Sequence, residues 1–134
     1  MKEFEIKNDL AEMETLTEQI AGYYRENGFD EAICYEVRLA LEEAISNTIK
    51  YGYGDREVHT ICVRAGFEIS ALSLEIEDDA KAFNPLEAPE PNLSLPVEQK
   101  PIGRLGIYLM RSVMDQIHYQ RNGTKNILRM IKNC

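Results

Sequence analysis

The hydrophobic period of the chain changes from helical to alternating near residue 52, and that change limits the available folds more than any other feature. Leu10, Met13, Leu16, Ile20 and Tyr23 recur at helical spacing, marking one face of a 3.6-residue period. Asp9 and Glu12 resemble a capping box at the start of this helix, and Asn27-Gly28 marks its end. Asp30 is a good N-cap for a second helix, with Phe29 and Cys34 placed as its hydrophobic staple. Ile33, Val37, Leu41, Ala44, Ile45 and Thr48 carry that helix to Tyr51-Gly52, about six turns at 3.6 residues each. Beyond residue 52 the apolar residues alternate. His59–Arg64 and Glu68–Glu77 read as a hairpin split by Ala65-Gly66, with Ser70, Leu72, Leu74 and Ile76 as its core side. Residues 2–7, ahead of both helices, also alternate, with Phe4 and Ile6 on one side.

All 5 prolines fall between Pro85 and Pro101. Proline removes a backbone donor and blocks helix and central strand alike, so this stretch reads as a long loop. Loops of that length are usually functional lids or disordered, and a proline-rich polar loop has little to pack, so mobility is expected across 85–101. Gly103-Arg-Leu-Gly106 then opens a third helix through Ile107, Met110, Val113 and Met114. Ile117–Arg121 and Thr124–Lys132 read as strands joined by Asn122-Gly123. The order is β-α-α-β-β-lid-α-β-β. Strands and helices segregate, which predicts an α+β sandwich with helices on one face of a mostly antiparallel sheet.

Composition narrows the function. The 134 residues suit one domain, and 44% apolar residues can build its core. A formal charge of −8 argues against direct nucleic-acid binding, which needs cations to displace phosphate counterions. No apolar run is long enough to span a bilayer, and the charged, alternating start MKEFEIKNDL does not read as a signal peptide. Cys34, Cys62 and Cys134 form no CxxC pair, which points away from a disulfide or zinc framework and toward the cytoplasm. His59 and His118 both sit in alternating segments and read as ordinary strand side chains.

Three features carry chemistry. Glu43 and Asn47, four residues apart on the second helix, share a face with Glu36 and Lys50. Alone this is a solvated polar face, yet Asn is a mediocre helix former, and a carboxylate with an amide can hold hydrated Mg²⁺ and activate a nucleophile. Glu77-Asp78-Asp79 ends a strand. It is either a polar strand end or a pocket carboxylate that accepts from an exocyclic amine. Gly103-x-x-Gly106 at a helix start is a plain loop-to-helix junction or an anion site.

In this order, EAISNTIKYGY, DDAKAFNPL, GRLGIYLMRSVMD and the closing NGTKNIL together resemble the bacterial anti-sigma-factor serine/threonine kinases. These are members of the Bergerat class of histidine-kinase-like ATP-binding domains. The resemblance covers essentially the whole chain and implies one domain over 1–134, with an ATP lid over about 80–102. It implies ATP and Mg²⁺ as cofactors, with Glu43 as general base, Asn47 as the Mg²⁺ ligand and Asp78 as the partner of the adenine amine. Ala80, Gly103, Arg104 and Gly106 would complete the nucleotide site, and Thr124 would support Asp78. Lys81 and Lys100 are further phosphate contacts by charge alone. Ala80 and Arg104 stand where the family has glycines, which favours nucleotide binding over phosphoryl transfer. The implied partners are a sigma factor, held while ATP is bound, and an anti-anti-sigma (STAS-domain) protein phosphorylated on Ser or Thr, with the chain a homodimer. The alternative is a nucleotide-gated or degenerate module of the same fold that sequesters a signalling partner without transferring phosphate.

Overall fold

The computed structural model describes residues 1–87 and 104–134. Its elements are β1 (Lys2–Lys7), α1 (Leu10–Glu26), α2 (Glu31–Tyr51), β2 (Thr60–Glu68), β3 (Ala71–Asp78), a 3₁₀ turn over Pro85–Glu87, α3 (Arg104–Val113), β4 (Gln116–Asn122) and β5 (Lys125–Asn133). The remainder of the proline-rich stretch, with Gly103 and Lys100, lies outside the described residues. Five strands form one sheet in the order β1-β2-β3-β5-β4, with every pairing antiparallel. The fold is the expected α+β arrangement, with the helices gathered on one face of this sheet.

Both long helices begin where their caps put them. Asp9 accepts from the Ala11 and Glu12 amides, and Asp30 accepts from Ile33 N, filling donors that a helix start leaves unpaired. Glu12 does not close a capping box on Asp9. Its Oε1 accepts instead from Lys7 N at 3.1 Å, because Asp9 N already donates to Lys7 O at 2.8 Å. Phe29 and Cys34 do meet across the second cap: the buried Cys34 thiol donates to Phe29 O at 3.7 Å.

Alternation decides what the sheet shows to each side. Leu72, Leu74 and Ile76 of β3 face the helices with Ile61, Val63 and Ala65 of β2 and Met130 of β5, against Leu16, Ile20, Val37, Leu41, Ile45, Ile107 and Met110. The opposite face is charged. There Arg64 lies 2.8 Å from Glu75, 3.4 Å from Glu77 and 3.6 Å from Glu3, and Arg129 meets Glu75 at 3.1 Å. Lys132 of β5 points inward. Its Nζ donates to Glu36 of α2 at 2.9 Å and to Val113 O at the end of α3 at 2.7 Å, a cation placed where a helix exposes carbonyls.

Two turns differ from the sequence reading. The β2–β3 hairpin closes at Ile69-Ser70, with Glu68 opposite Ala71, and not at Ala65-Gly66. Gly66 stays in the strand opposite Ser73. Its missing side chain leaves room for Met1, whose Cγ would lie 3.0 Å from a Cβ there, so this glycine serves close packing. The last hairpin closes at Gly123-Thr124, one residue later than expected, because Gly123 takes the left-handed conformation, φ 62°. The three cysteines are free. Among the described residues, no helix is long and apolar enough to cross a membrane.

The Tyr24 hydroxyl, fully buried on α1, donates to Ser73 O at 2.8 Å and Gly66 O at 3.1 Å, locking the helical layer onto the β2–β3 pair. Tyr24→Phe removes that donor and is expected to lower stability by about 1 kcal/mol. A reduced urea midpoint with an unchanged m-value is the signature. A midpoint equal to the parent's would show that the bridge does not stabilise the fold.

Candidate functional site

β3 alternates in and out along its whole length, and the register carries Asp78 to the helix-facing side as the next inward residue after Leu72, Leu74 and Ile76. Asp78 is therefore buried, at 5% exposure, a position costly for a carboxylate without partners. Its partners come from the two neighbouring strands. Across the sheet it sits opposite Asn126 of β5, which sits opposite Arg121 of β4. Asn126, 7% exposed, donates from Nδ2 to Asp78 Oδ1 at 2.9 Å, and Ala80 N donates to the same oxygen at 3.0 Å. The Asn126 amide also reaches Ala80 O at 3.2 Å and Lys81 O at 3.0 Å. Its own Oδ1 accepts from Arg121 at 3.0 Å and from the Tyr119 hydroxyl. Arg121 also donates to Ala80 O at 2.8 Å. Burial pushes the Asp78 carboxyl above its ordinary value, opposed by the Asn126 and Ala80 hydrogen bonds and by the charge of Arg121.

None of these bonds engages Oδ2 of Asp78. The residue lines a cavity of about 530 Å³ with Asn47, Thr48, Gly52, Ile76, Ala80, Lys81, Phe83, Ile107, Met110 and Asn126 among its walls. That volume falls in the range of small-molecule sites, and the mixture of apolar walls with a few convergent polar groups is typical of them. Asn47 enters from α2. Its Nδ2 donates to Glu43 O one turn back, at 2.7 Å, which leaves its carbonyl oxygen as the atom open to the cavity. A hard oxygen is the ligand a magnesium ion takes, so Asn47 fits that ion.

Ala80 is accommodated by a second glycine. It is buried at 4% exposure, and among the described residues no non-glycine residue adopts a positive φ. Its methyl lies against Gly52 at the C-cap of α2, where an added Cβ would stand 2.8 Å from Ala80 Cβ and 2.6 Å from Thr48 O. Gly52 O accepts from Lys81 N at 3.0 Å, so the end of β3 is tied to the end of α2.

The remaining candidates are dispersed. Glu43 is half-buried on α2 and does not line the cavity. Its carboxylate packs against Gly106 of α3, where any Cβ would overlap it. Arg104 is the first residue of α3, and Gly103 lies outside the described residues. Thr124 is exposed in the β4–β5 turn, and the side chain bonded to Asp78 is Asn126 two residues on. The sequence reading passed over Asn126, although a polar residue on the inward parity of an otherwise apolar strand was a usable signal.

The sequence reading also missed a clasp beside the site. His59 precedes β2 and lies between two carboxylates, with Nδ1 3.0 Å from Asp79 Oδ2 and Nε2 2.8 Å from Asp55 Oδ1. Its ring stacks on Tyr53 at 4.2 Å between centroids. The hydrogen bond to Asp79, then that to Asp55, raises the His59 pKa. Asp55 is lowered chiefly by its bond to His59, and at Asp79 burial pushes upward but the bond and charge of His59 outweigh it.

The family model for the histidine kinase-like ATPase domain matches residues 6–132, and the chain belongs to that family. Within it the chain resembles anti-sigma kinases. It is 28% identical over 92 residues to the serine-protein kinase RsbW of Bacillus velezensis, covering 65% of this chain and 57% of that protein. It is 27% identical over 104 residues to the anti-sigma F factor of Clostridium novyi, covering 70% of this chain and 68% of that one. The chain thus spans little more than half of the first of these relatives. Among solved structures, the RsbU and RsbW domains of a Mycobacterium tuberculosis protein superpose with a TM-score of 0.66 at 10% identity, over 98% of this chain and 32% of that chain. A histidine kinase domain from Erythrobacter litoralis superposes with a TM-score of 0.53 at 16% identity, over 75% of this chain and 44% of that one. These two likenesses bear on the fold alone.

Two outcomes are expected. Gly52→Ala forces a methyl onto a backbone oxygen and should lower stability by about 1–3 kcal/mol, read from the thermal midpoint; an unchanged midpoint would mean that the α2–β3 junction is loosely packed. For the clasp, a histidine raised by its partners stabilises in full below its unfolded value of about 6.5, and that stabilisation fades as pH rises through the raised value. The lowered carboxylates stabilise only above their unfolded value of about 4. His59→Gln should therefore reduce the melting temperature most between about pH 4 and 6.5 and least at alkaline pH. An equal reduction at pH 5.5 and 8.5 would dismiss the ion pairs.

Proposed function

We propose that this chain binds Mg²⁺–ATP in the Asp78–Asn47 cavity and acts as an anti-sigma regulatory kinase. In this reading it transfers the γ-phosphoryl group to a Ser or Thr of an anti-anti-sigma (STAS-domain) protein, and it holds a sigma factor in the cytoplasm as a homodimer. The observation that carries the nucleotide part is the spare Oδ2 of a buried carboxylate facing the same cavity as the Asn47 carbonyl. Oδ2 accepts from the exocyclic amine of adenine, and the apolar walls at Ile76, Ile107 and Met110 cover the ring faces. Asn47 would hold Mg²⁺, which when bound neutralises charge on the phosphates. Lys81 lines the same cavity and supplies a cation toward them.

For transfer, Glu43 is the base that draws the proton from the attacking hydroxyl. The kinase names of the relatives support phosphoryl transfer as the activity. Gly106 supports the Glu43 assignment, because it leaves that carboxylate room against α3. One observation favours a second reading, a module that binds nucleotide and partner without transfer: Glu43 stands outside the cavity wall.

Calorimetric titration of Mg²⁺–ATP tests the first step. The wild type should bind saturably, and Asn47→Ala and Asp78→Asn should each weaken binding about 10- to 100-fold, the worth of a hydrogen bond to a charged group. Because burial disfavours the Asp78 charge, Asp78→Asn should leave the ligand-free chain at least as stable. Incubation with labelled ATP and a STAS-domain protein tests the second step. Phosphoserine or phosphothreonine lost in Glu43→Ala with ATP binding kept supports the kinase, and tight binding without any label supports the module.

A further inference from the structure

The row Asp78–Asn126–Arg121 runs across three neighbouring strands, and it does more than satisfy a buried charge. A carboxylate has two oxygens that accept alike when ionised, and a protonated carboxyl turns one of them into a donor. Here Asn126 Nδ2 and Ala80 N both occupy Oδ1. Arg121 and the Tyr119 hydroxyl both donate to Asn126 Oδ1, and Ala80 O and Lys81 O accept from its Nδ2, so Asn126 presents its NH₂ side, and only that side, to Asp78. A free amide would be able to turn and offer an acceptor to an acceptor. The result is a single acceptor-only oxygen aimed at the cavity.

We propose that Asn126 and Arg121 are positioning residues for base selection: they hold Asp78 so that Oδ2 meets the base as an acceptor, favouring a 6-aminopurine over a 6-oxopurine. The inference rests on the nucleotide reading above and adds which residues set the base preference. Adenine presents an amine at this edge, whereas hypoxanthine and guanine present a carbonyl oxygen, which an acceptor repels. Polar sites reject a mismatched edge strongly because the buried group is left unpaired.

The charged surroundings of Asp78 make the device testable. Arg121 faces it from β4, Asp79 follows it in the chain, and Tyr53 approaches from the loop after α2. Lys81, Glu87 and Tyr119 of β4 line the cavity beyond it, while α2 contributes Tyr51 beside the uncharged Asn47 and Thr48, and α3 contributes Ile107 and Met110. The Asn126 bond and the Arg121 charge are the groups from neighbouring strands that oppose the effect of burial on Asp78. Without either, protonation reaches Asp78 at higher pH, Oδ2 becomes able to donate, and a 6-oxo group becomes acceptable.

The probes are Mg²⁺–ATP and Mg²⁺–ITP, titrated calorimetrically into the full chain between about pH 5.5 and 8. They differ only at the base edge, so the affinity ratio cancels the titration of the shared triphosphate. The wild type should prefer ATP by about tenfold or more at pH 8, the scale of one charged hydrogen bond. In Asn126→Leu and Arg121→Met the ratio should fall toward one, with the fall starting at higher pH than in the wild type. Arg121 is exposed, so Arg121→Met carries the test if Asn126→Leu does not fold. A folded Arg121→Met chain with the parent ratio and pH profile would overturn the proposal. A wild type that binds both nucleotides equally would overturn it and leave the ATP site standing, whereas a wild type that binds neither would take down both.

Discussion

A buried carboxylate at the end of a central strand is the constraint around which this fold is arranged. The alternation that seats Leu72, Leu74 and Ile76 in the core also carries Asp78 inward, at a position where an isolated charge is strongly disfavoured. Everything adjacent answers that demand. The Ala80 amide turns back on it, Asn126 reaches across from β5, and Arg121 steadies Asn126 from β4. Gly52 leaves the space in which Ala80 packs, so the β3 end is held by α2 on one side and by the last hairpin on the other. The spare oxygen that faces the cavity is what remains once those demands are met.

Much of this was legible in the chain. Asp9 and Asp30 announce their helices because a cap is a local device, complete within four residues. The inward face of β3 follows from parity alone, and so does the place of Asp78 on it. That Glu43 and Asn47 lie on one face of α2 also follows from spacing, since helical geometry puts residues four apart together, but their assigned roles come from the resemblance.

What escaped the reading depends on partners distant in sequence. Gly66 looks like a turn residue until Met1 is known to pack beside it. Asn126 looks like one more polar residue in a strand until register sets it opposite Asp78. Thr124 takes its supporting role from resemblance and stands exposed in the turn that the left-handed Gly123 shifts, while the side chain bonded to Asp78 is Asn126. His59 reads as an ordinary strand side chain because Asp79, one of its two carboxylates, lies 20 residues away. Ala80, which stands where the family has a glycine, is matched by a glycine on another element. Each case is a tertiary pairing that local pattern does not contain.

The position of β5 has a consequence for how the molecule is made. β3 pairs with β2 through a tight local hairpin, but its other edge is covered by β5. While the polypeptide is being synthesised, Asp78 emerges 48 residues ahead of the amide that will hold it, and β3 meanwhile presents an open edge. Contacts of such long sequence separation form late, and unpaired edges are where nascent chains associate wrongly. The cavity is therefore complete only once β5 has joined the sheet, and a chain released before β5 would carry Asp78 on an unfinished sheet.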